Sequence, residues 1–207
     1  MIIFNNTDHP ILVRMGEREL LIEANRFIEE AIEEGVYPLT VYKQKDNGKP
    51  LTFRHEKDED WGMFARRGIV SLAVSGKIEV ERNTKFHIVE QEHRYRFYGY
   101  GNNTRYLELL DCTVESGALS ELCSVFASPA QRRYLVQNLH LMLGLTIFFH
   151  TMISLIPLAE WNDPDAWWLI SIFQILFIFE EWQCIRSLRI LRQYPVVSEK
   201  GNNDRQH

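Results

Sequence analysis

The feature that most constrains this chain is a gap. From Tyr134 to Ile185, 52 consecutive residues contain no Lys or Arg, in a chain of 207 residues that is 25% charged. The gap holds five acids (Glu160, Asp163, Asp165, Glu180 and Glu181) and two apolar segments. Leu139–Ala159 is 21 residues without a formal charge. As a helix it would be about 30 Å long, the hydrocarbon thickness of a bilayer. Ala166–Phe179, AWWLISIFQILFIF, has only 14 residues, which is short for a span. Helix continued from Trp161 to Trp182 would cover about 32 Å and put Trp167, Trp168 and Trp182 where interfacial aromatic residues sit. The reading is a transmembrane hairpin over 128–195, with about 135–159 and 163–185 in the bilayer. The competing reading is a buried hairpin in a soluble domain. Two helices apolar almost all round would then have to be covered by only about 130 residues of protein.

Helix punctuation fits the hairpin. Ser128-Pro129 and Asp163-Pro164 each read as an N-cap followed by Pro at the first helical position, and Tyr194-Pro195 as a stop. Beyond the bilayer, Ile185, Leu188 and Leu191 alternate with Arg186, Arg189 and Arg192 in an amphipathic pattern.

Cations set the expected orientation. Arg132 and Arg133 precede the first helix, and Arg186, Arg189 and Arg192 follow the second, while the loop EWNDPDAW between them has acids only. By the positive-inside rule the loop 160–165 is expected outside and both termini in the cytoplasm. The start MIIFNNTDHP has neither the basic region nor the apolar run of a signal peptide. Three cysteines, Cys112, Cys123 and Cys184, suit a reducing compartment better than a disulfide framework. The polar tail 196–207 is expected to be disordered.

Within the hairpin, small and polar residues recur at heptad spacing: Arg133, Gln137, His140, Gly144, Ile147, Thr151 and Ser154 on the first helix, and Trp167, Ser171, Gln174, Ile178 and Glu181 on the second. Turning the chain near Trp161 pairs His140 with Glu181, Gly144 with Ile178, Ile147 with Gln174, Thr151 with Ser171 and Ser154 with Trp167. The candidate intramembrane polar residues are therefore His140, Thr151, Ser171, Gln174 and Glu181. His140 with Glu181 is read as a structural pair near the cytoplasmic interface ahead of a proton-responsive one. His150 lies off this stripe and is expected to meet Gln174 or a second protomer.

Residues 1–127 read as an antiparallel β sandwich or barrel of eight or nine short strands. Ile11–Met15 and Glu19–Glu23 flank Gly16. Val36–Lys45 alternates apolar and polar residues before the turn Asp46-Asn47-Gly48, with Leu51–Arg54 as return strand. Ile69–Val74 and Lys77–Arg82 flank a turn at Ser75-Gly76. Lys85–Glu92 follows, and Arg94–Tyr100 and Thr104–Asp111 flank Gly101-Asn102-Asn103. Residues 25–34 fit either a helix capped by Asn25 and Gly35 or an edge strand. Glu56–Asp60 is a charged loop. The segment GVYPLTV, Gly35–Val41, resembles the closing strand of many small bacterial Ig-like sandwich domains, a resemblance without functional content.

Composition excludes a disordered chain, with 45% hydrophobic and 12% aromatic residues, and a net charge of −5 argues against a nucleic-acid binder. The run Arg94-Tyr95-Arg96-Phe97-Tyr98-Gly99-Tyr100 looks superficially like a base-stacking strand, but in an acidic domain it is read as cross-strand packing. GxGxxG, GxxxxGK[ST], GxSxG, HExxH and CxxC motifs are all missing, and His87 and His93 have no third ligand to complete a zinc site. No cofactor or metal is expected. The expected partners are the lipid bilayer and either another protein or further protomers. The leading expectation is a non-enzymatic membrane-tethered interaction or sensor protein. One alternative is an oligomeric channel or membrane-active effector gated by the β-domain. Another is an enzyme whose site in the β-domain leaves no motif.

Overall fold

The computed structural model describes residues 1–45, 48–57, 66–97, 104–155 and 164–197. The expected turns at Asp46-Asn47 and Gly101–Asn103, the hairpin loop 160–163 and the tail beyond 197 lie outside the described residues.

Among the described residues, nine strands precede two helices: β1 (Ile2–Asn6), β2 (Ile11–Met15), β3 (Arg18–Ile22), β4 (Arg26–Glu29), β5 (Gly35–Lys43), β6 (Phe53–Lys57), β7 (Arg66–Ser71), β8 (Ala73–Phe97), β9 (Thr104–Val125), α1 (Pro129–Leu155) and α2 (Pro164–Gln193). They form one curled mixed sheet, a half-barrel, followed by two long apolar helices. The strand order is β3-β2-β5-β8-β9-β7-β6, with β1 attached to β8 and β4 to β1. A mainly β region of nine strands before a helical pair is what the sequence leads one to expect. Two of the pairings, β1 with β8 and β7 with β9, are parallel.

Several local expectations are corrected. Ser75-Gly76 is not a turn, because β8 runs straight through it. Gly76 serves close approach instead: a Cβ there would lie 2.7 Å from Leu122 Cδ2 and 2.9 Å from the Ser120 carbonyl on β9. The eight-to-twelve-residue rhythm of turns therefore gives way to two strands of 25 and 22 residues. Register shifts at Ser75/Lys77, Val80/Lys85 and Gln91/Tyr95 interrupt their ladder, as β-bulges do where strands bend. At the second shift the Thr84 hydroxyl donates to the Ser116 carbonyl at 2.5 Å and accepts from the Glu81 amide at 2.8 Å. Leu51–Arg54 does not return along β5, since β2 and β8 already occupy both edges of that strand. One bridge, Gln44 to Pro50, closes the turn, and β6 pairs with β7 instead. For the same reason GVYPLTV is an internal strand rather than a closing one. Of the two readings left open for 25–34, residues 26–29 take the strand, paired with β1, and Asn25 turns the chain at φ 55° rather than capping a helix.

Sequence inspection missed β1. Its Asn5 is fully buried, donating to the carbonyls of His9, Ile22 and Glu23 and accepting from the Thr7 amide and hydroxyl. This fastens the start of the chain into the sheet without any apolar alternation. The main core lies inside the curl, from Ile3, Ile11, Val13, Ile22, Leu39, Val41, Ile78, Phe86 and Ile88.

A second core joins sheet to helices. Val70, Leu72, Leu107, Leu109 and Phe126 pack with Leu135 and Leu139 of α1 and Leu188, Ile190 and Leu191 of α2. The chain after α2 returns to the same place: the Phe126 amide donates to the Pro195 carbonyl at 2.8 Å, and the Val197 amide to the Phe126 carbonyl at 3.0 Å. Beyond this junction the helices are bare. Leu141, Phe148, Met152, Trp168, Ile175 and Ile178 are all exposed. Both helices are long and apolar enough to cross a membrane, with little of their apolar length covered by protein. A hairpin serving as the core of a soluble domain would be mostly buried, and this one is not.

Candidate functional site

The rotation of each helix is set where it leaves the sheet. Continuing from Leu135 and Leu139, the inward face of α1 carries Leu143, Thr146 and His150. The inward face of α2 carries Gln174, Phe177, Glu181, Cys184, Leu188 and Leu191. Both follow spacings of three and four residues, as two helices packed antiparallel require.

This seam is one residue away from the stripe of small and polar residues expected on α1. It brings His150, not His140, to Glu181. His150 Nδ1 lies 2.8 Å from a Glu181 carboxylate oxygen, and its Nε2 contacts the Gln174 amide oxygen. The Gln174 amide donates to the Ser154 hydroxyl at 2.7 Å, and that hydroxyl donates to the His150 carbonyl at 2.7 Å. Phe177 stacks on the imidazole, with centroids 5.9 Å apart. Four polar residues thus satisfy one another between two apolar helices, the condition for a carboxylate to be tolerated there.

Of the five candidate residues, the structure brings Gln174 and Glu181 into this network. His140 is exposed, one helical position off the seam. Thr151 and Ser171 are exposed and donate back to their own helices, to the carbonyls of Ile147 and Trp167 at 2.8 Å each. The Gly144–Ile178 pairing is also overturned: a Cβ on Gly144 would meet nothing within 4 Å, and Ile178 is exposed. The leucines of the junction, which are apolar and were not used as a guide, fix the rotation.

A second polar cluster lies in the β-region and was not foreseen. Lys43, 1% exposed, places its ammonium 2.6 Å from Glu90 and 2.9 Å from Glu108, which is also 1% exposed. Arg54 grips Glu108 through two nitrogens, at 2.6 and 3.0 Å, and the Ser71 hydroxyl donates to Glu108 at 2.5 Å. Two cations and two carboxylates balance. Burial pushes Glu108 upwards, but the neighbouring Glu90 carboxyl, the Lys43 ammonium and the Ser71 hydroxyl outweigh it and hold Glu108 at about 2. Burial raises Glu90 in turn. His9 is lowered, first by burial and then by the charges of Lys43 and Arg54. The signal was present in β5, where the alternation that turns Leu39 and Val41 inward also turns Lys43 inward.

Among the described residues no group of three His, Cys, Asp or Glu side chains could hold a metal ion. Burial pushes the Cys112 thiol up to about 12, so it is a packed thiol and a poor nucleophile. His87 stacks flat on Phe4 with centroids 4.6 Å apart. No family model matches the chain, and comparison with characterised proteins and with solved structures found no match.

Proposed function

We propose that this chain is a non-enzymatic integral membrane protein whose cytoplasmic β-domain recognises a partner while the helical hairpin fixes it to the bilayer. The observation that carries this reading is the junction core. Leu135, Leu139, Leu188 and Leu191 are packed into the same cluster as Val70, Leu107 and Phe126 of the sheet. A flexible tether would leave the two parts independent. A shared core makes a ligand on the β-domain and a disturbance of the helices act on one body. The bare apolar faces of both helices support insertion. The arginines at the sheet end, with none in the gap, support cytoplasmic termini. The closed, charge-balanced Lys43–Arg54–Glu90–Glu108 cluster reads as structural rather than catalytic.

Crosslinking in intact membranes followed by gentle solubilisation tests the proposal. A stoichiometric partner lost on mutation of the β-domain surface is the expected result. A monodisperse monomer without partners in every condition argues against it. Cysteines placed in the tail and at Asn162 test sidedness, with only the latter expected to react with an impermeant thiol reagent from outside.

A second reading, self-association in the membrane, is favoured by the residues that the hairpin leaves facing outward. His140, Gly144 and Thr151 present a small and polar strip to the surroundings of α1. Such strips allow close approach of transmembrane backbones. Disulfide formation between protomers through Gly144→Cys separates this reading from the first.

A further inference from the structure

Where the helices meet the sheet, a cleft of about 450 Å³ opens between the start of α1 and the end of α2. Three arginines line it, Arg132 and Arg133 from the first turns of α1 and Arg192 from the last turn of α2, with Gln137 and Val196 beside them. Among the described residues no acidic side chain contributes to its lining. None of the three arginines forms an ion pair among the described residues, although Arg14, Lys43, Arg54, Lys77 and Lys85 all do. The Nε of Arg132 is buried and has no hydrogen-bond acceptor among the described residues. A buried guanidinium donor with nothing to donate to is costly, and an anion in the cleft would remove that cost.

The position of the cleft selects the anion. Gln137 precedes Leu141, the first exposed aliphatic side chain of α1, by four residues or about 6 Å, and the exposed Tyr134, with its polar tip, lies on the cleft side of it. That distance matches the thickness of the polar headgroup layer outside the hydrocarbon. Arginine side chains reach along a helix towards that layer. The positive end of the α1 dipole adds to the field, while Arg192 offsets the negative end of α2. We propose that this cleft binds the phosphate of an anionic phospholipid headgroup in the cytoplasmic leaflet. The inference rests on the membrane reading given above. Arg186 and Arg189 lie outside the cleft, and Arg186 sits over the Trp182 ring at 5.5 Å.

The purified full chain is floated on vesicles of phosphatidylcholine alone and with phosphatidylglycerol, and its retained lipids are weighed by native mass spectrometry. Wild-type protein is expected to keep phosphatidylglycerol over phosphatidylcholine by about tenfold or more, from three cations near the surface. Combined Arg132→Gln, Arg133→Gln and Arg192→Gln should abolish the preference, and Arg186→Gln with Arg189→Gln should retain it. A photoactivatable phosphatidylglycerol on unmodified protein should label 129–137 and 192–197, which keeps the test independent of any folding defect in the variant. Equal retention of the two lipids, or labelling confined to 141–185, overturns the site. Occupancy by inorganic phosphate without any lipid preference reassigns the cleft to a free anion and overturns the lipid assignment. Failure to float on either vesicle overturns the membrane reading together with the site, whereas flotation without preference removes the site alone.

Discussion

His150 Nδ1 and the Glu181 carboxylate meet at 2.8 Å across the two helices, ten residues on from His140, whose spacing made it the expected partner. The contact ties the far half of the hairpin to a rotation already chosen at the junction. A double-mutant cycle between His150→Phe and Glu181→Leu should give a coupling of about 1 kcal/mol, in the range for polar pairs between transmembrane helices. In a background without the native cysteines, a short bifunctional thiol reagent should link Cys pairs at 150 and 181 and leave pairs at 140 and 181 unlinked. The reverse pattern would restore the original pairing.

The Lys43–Arg54–Glu90–Glu108 cluster should set the acid limit of the β-region. Glu108 sits at about 2 in the folded protein against an ordinary 4.5. Its contribution is therefore fully present above 4.5 and is lost as pH falls from there towards 2. Glu90 is raised, so it costs stability at neutral pH, and that cost is relieved as it protonates. The two signs give a shallow stability maximum in weak acid followed by a steep fall. Glu108→Gln should flatten the fall and lower neutral-pH stability by about 3–5 kcal/mol, as leaving Lys43 and Arg54 short of a partner does in a buried site. Denaturant midpoints of the full chain between pH 3 and 7 would show both effects. A midpoint independent of pH in both proteins would mean that the cluster is not coupled to folding.

Legibility from sequence followed the physics of each element. The hairpin was readable because a missing charge type over 52 residues is a one-dimensional signal. Its internal register was not, because leucines such as Leu139 and Leu188 belong to a core shared with Phe126 and Val70, distant in sequence. Gly16 was legible as a turn and has a positive φ of 58°. Gly76 looked the same in sequence, yet it serves a cross-strand approach to Leu122 that only the fold defines. Of the candidate site, Gln174 and Glu181 were found by polarity within an apolar run. Lys43 was overlooked although its parity in β5 already placed it inside.

Glycine substitutions should separate constrained from free positions. A Cβ on Gly117 would lie 2.4 Å from the Glu79 carbonyl, at a φ of +142° that side chains rarely adopt. Gly117→Ala should therefore destabilise the sheet by about 1–3 kcal/mol or more, with the paired strand forced to move. Gly144→Ala meets no atom within 4 Å and should be neutral or stabilise α1 by up to about 1 kcal/mol. Thermal unfolding of the two variants measures the contrast. If Gly144→Ala instead weakens a detergent-resistant oligomer, the outward strip is a contact between protomers.

The junction core should transmit disturbance between sheet and helices, and truncation of its leucines tests this. Leu139 and Leu191 are at most 1% exposed, whereas Leu141, two residues from Leu139, is largely exposed. Leu139→Ala or Leu191→Ala should cost about 2–5 kcal/mol, while Leu141→Ala should cost well under 1 kcal/mol, because its side chain has little protein packing to lose. Hydrogen exchange gives the sharper readout. If one core serves both parts, Leu139→Ala must raise exchange at Leu107, Leu109 and Phe126 in the sheet as well as along α1. Loosening limited to the helices would mean that the β-region is only tethered, and the proposal that bilayer and ligand act on a single body would lose its basis.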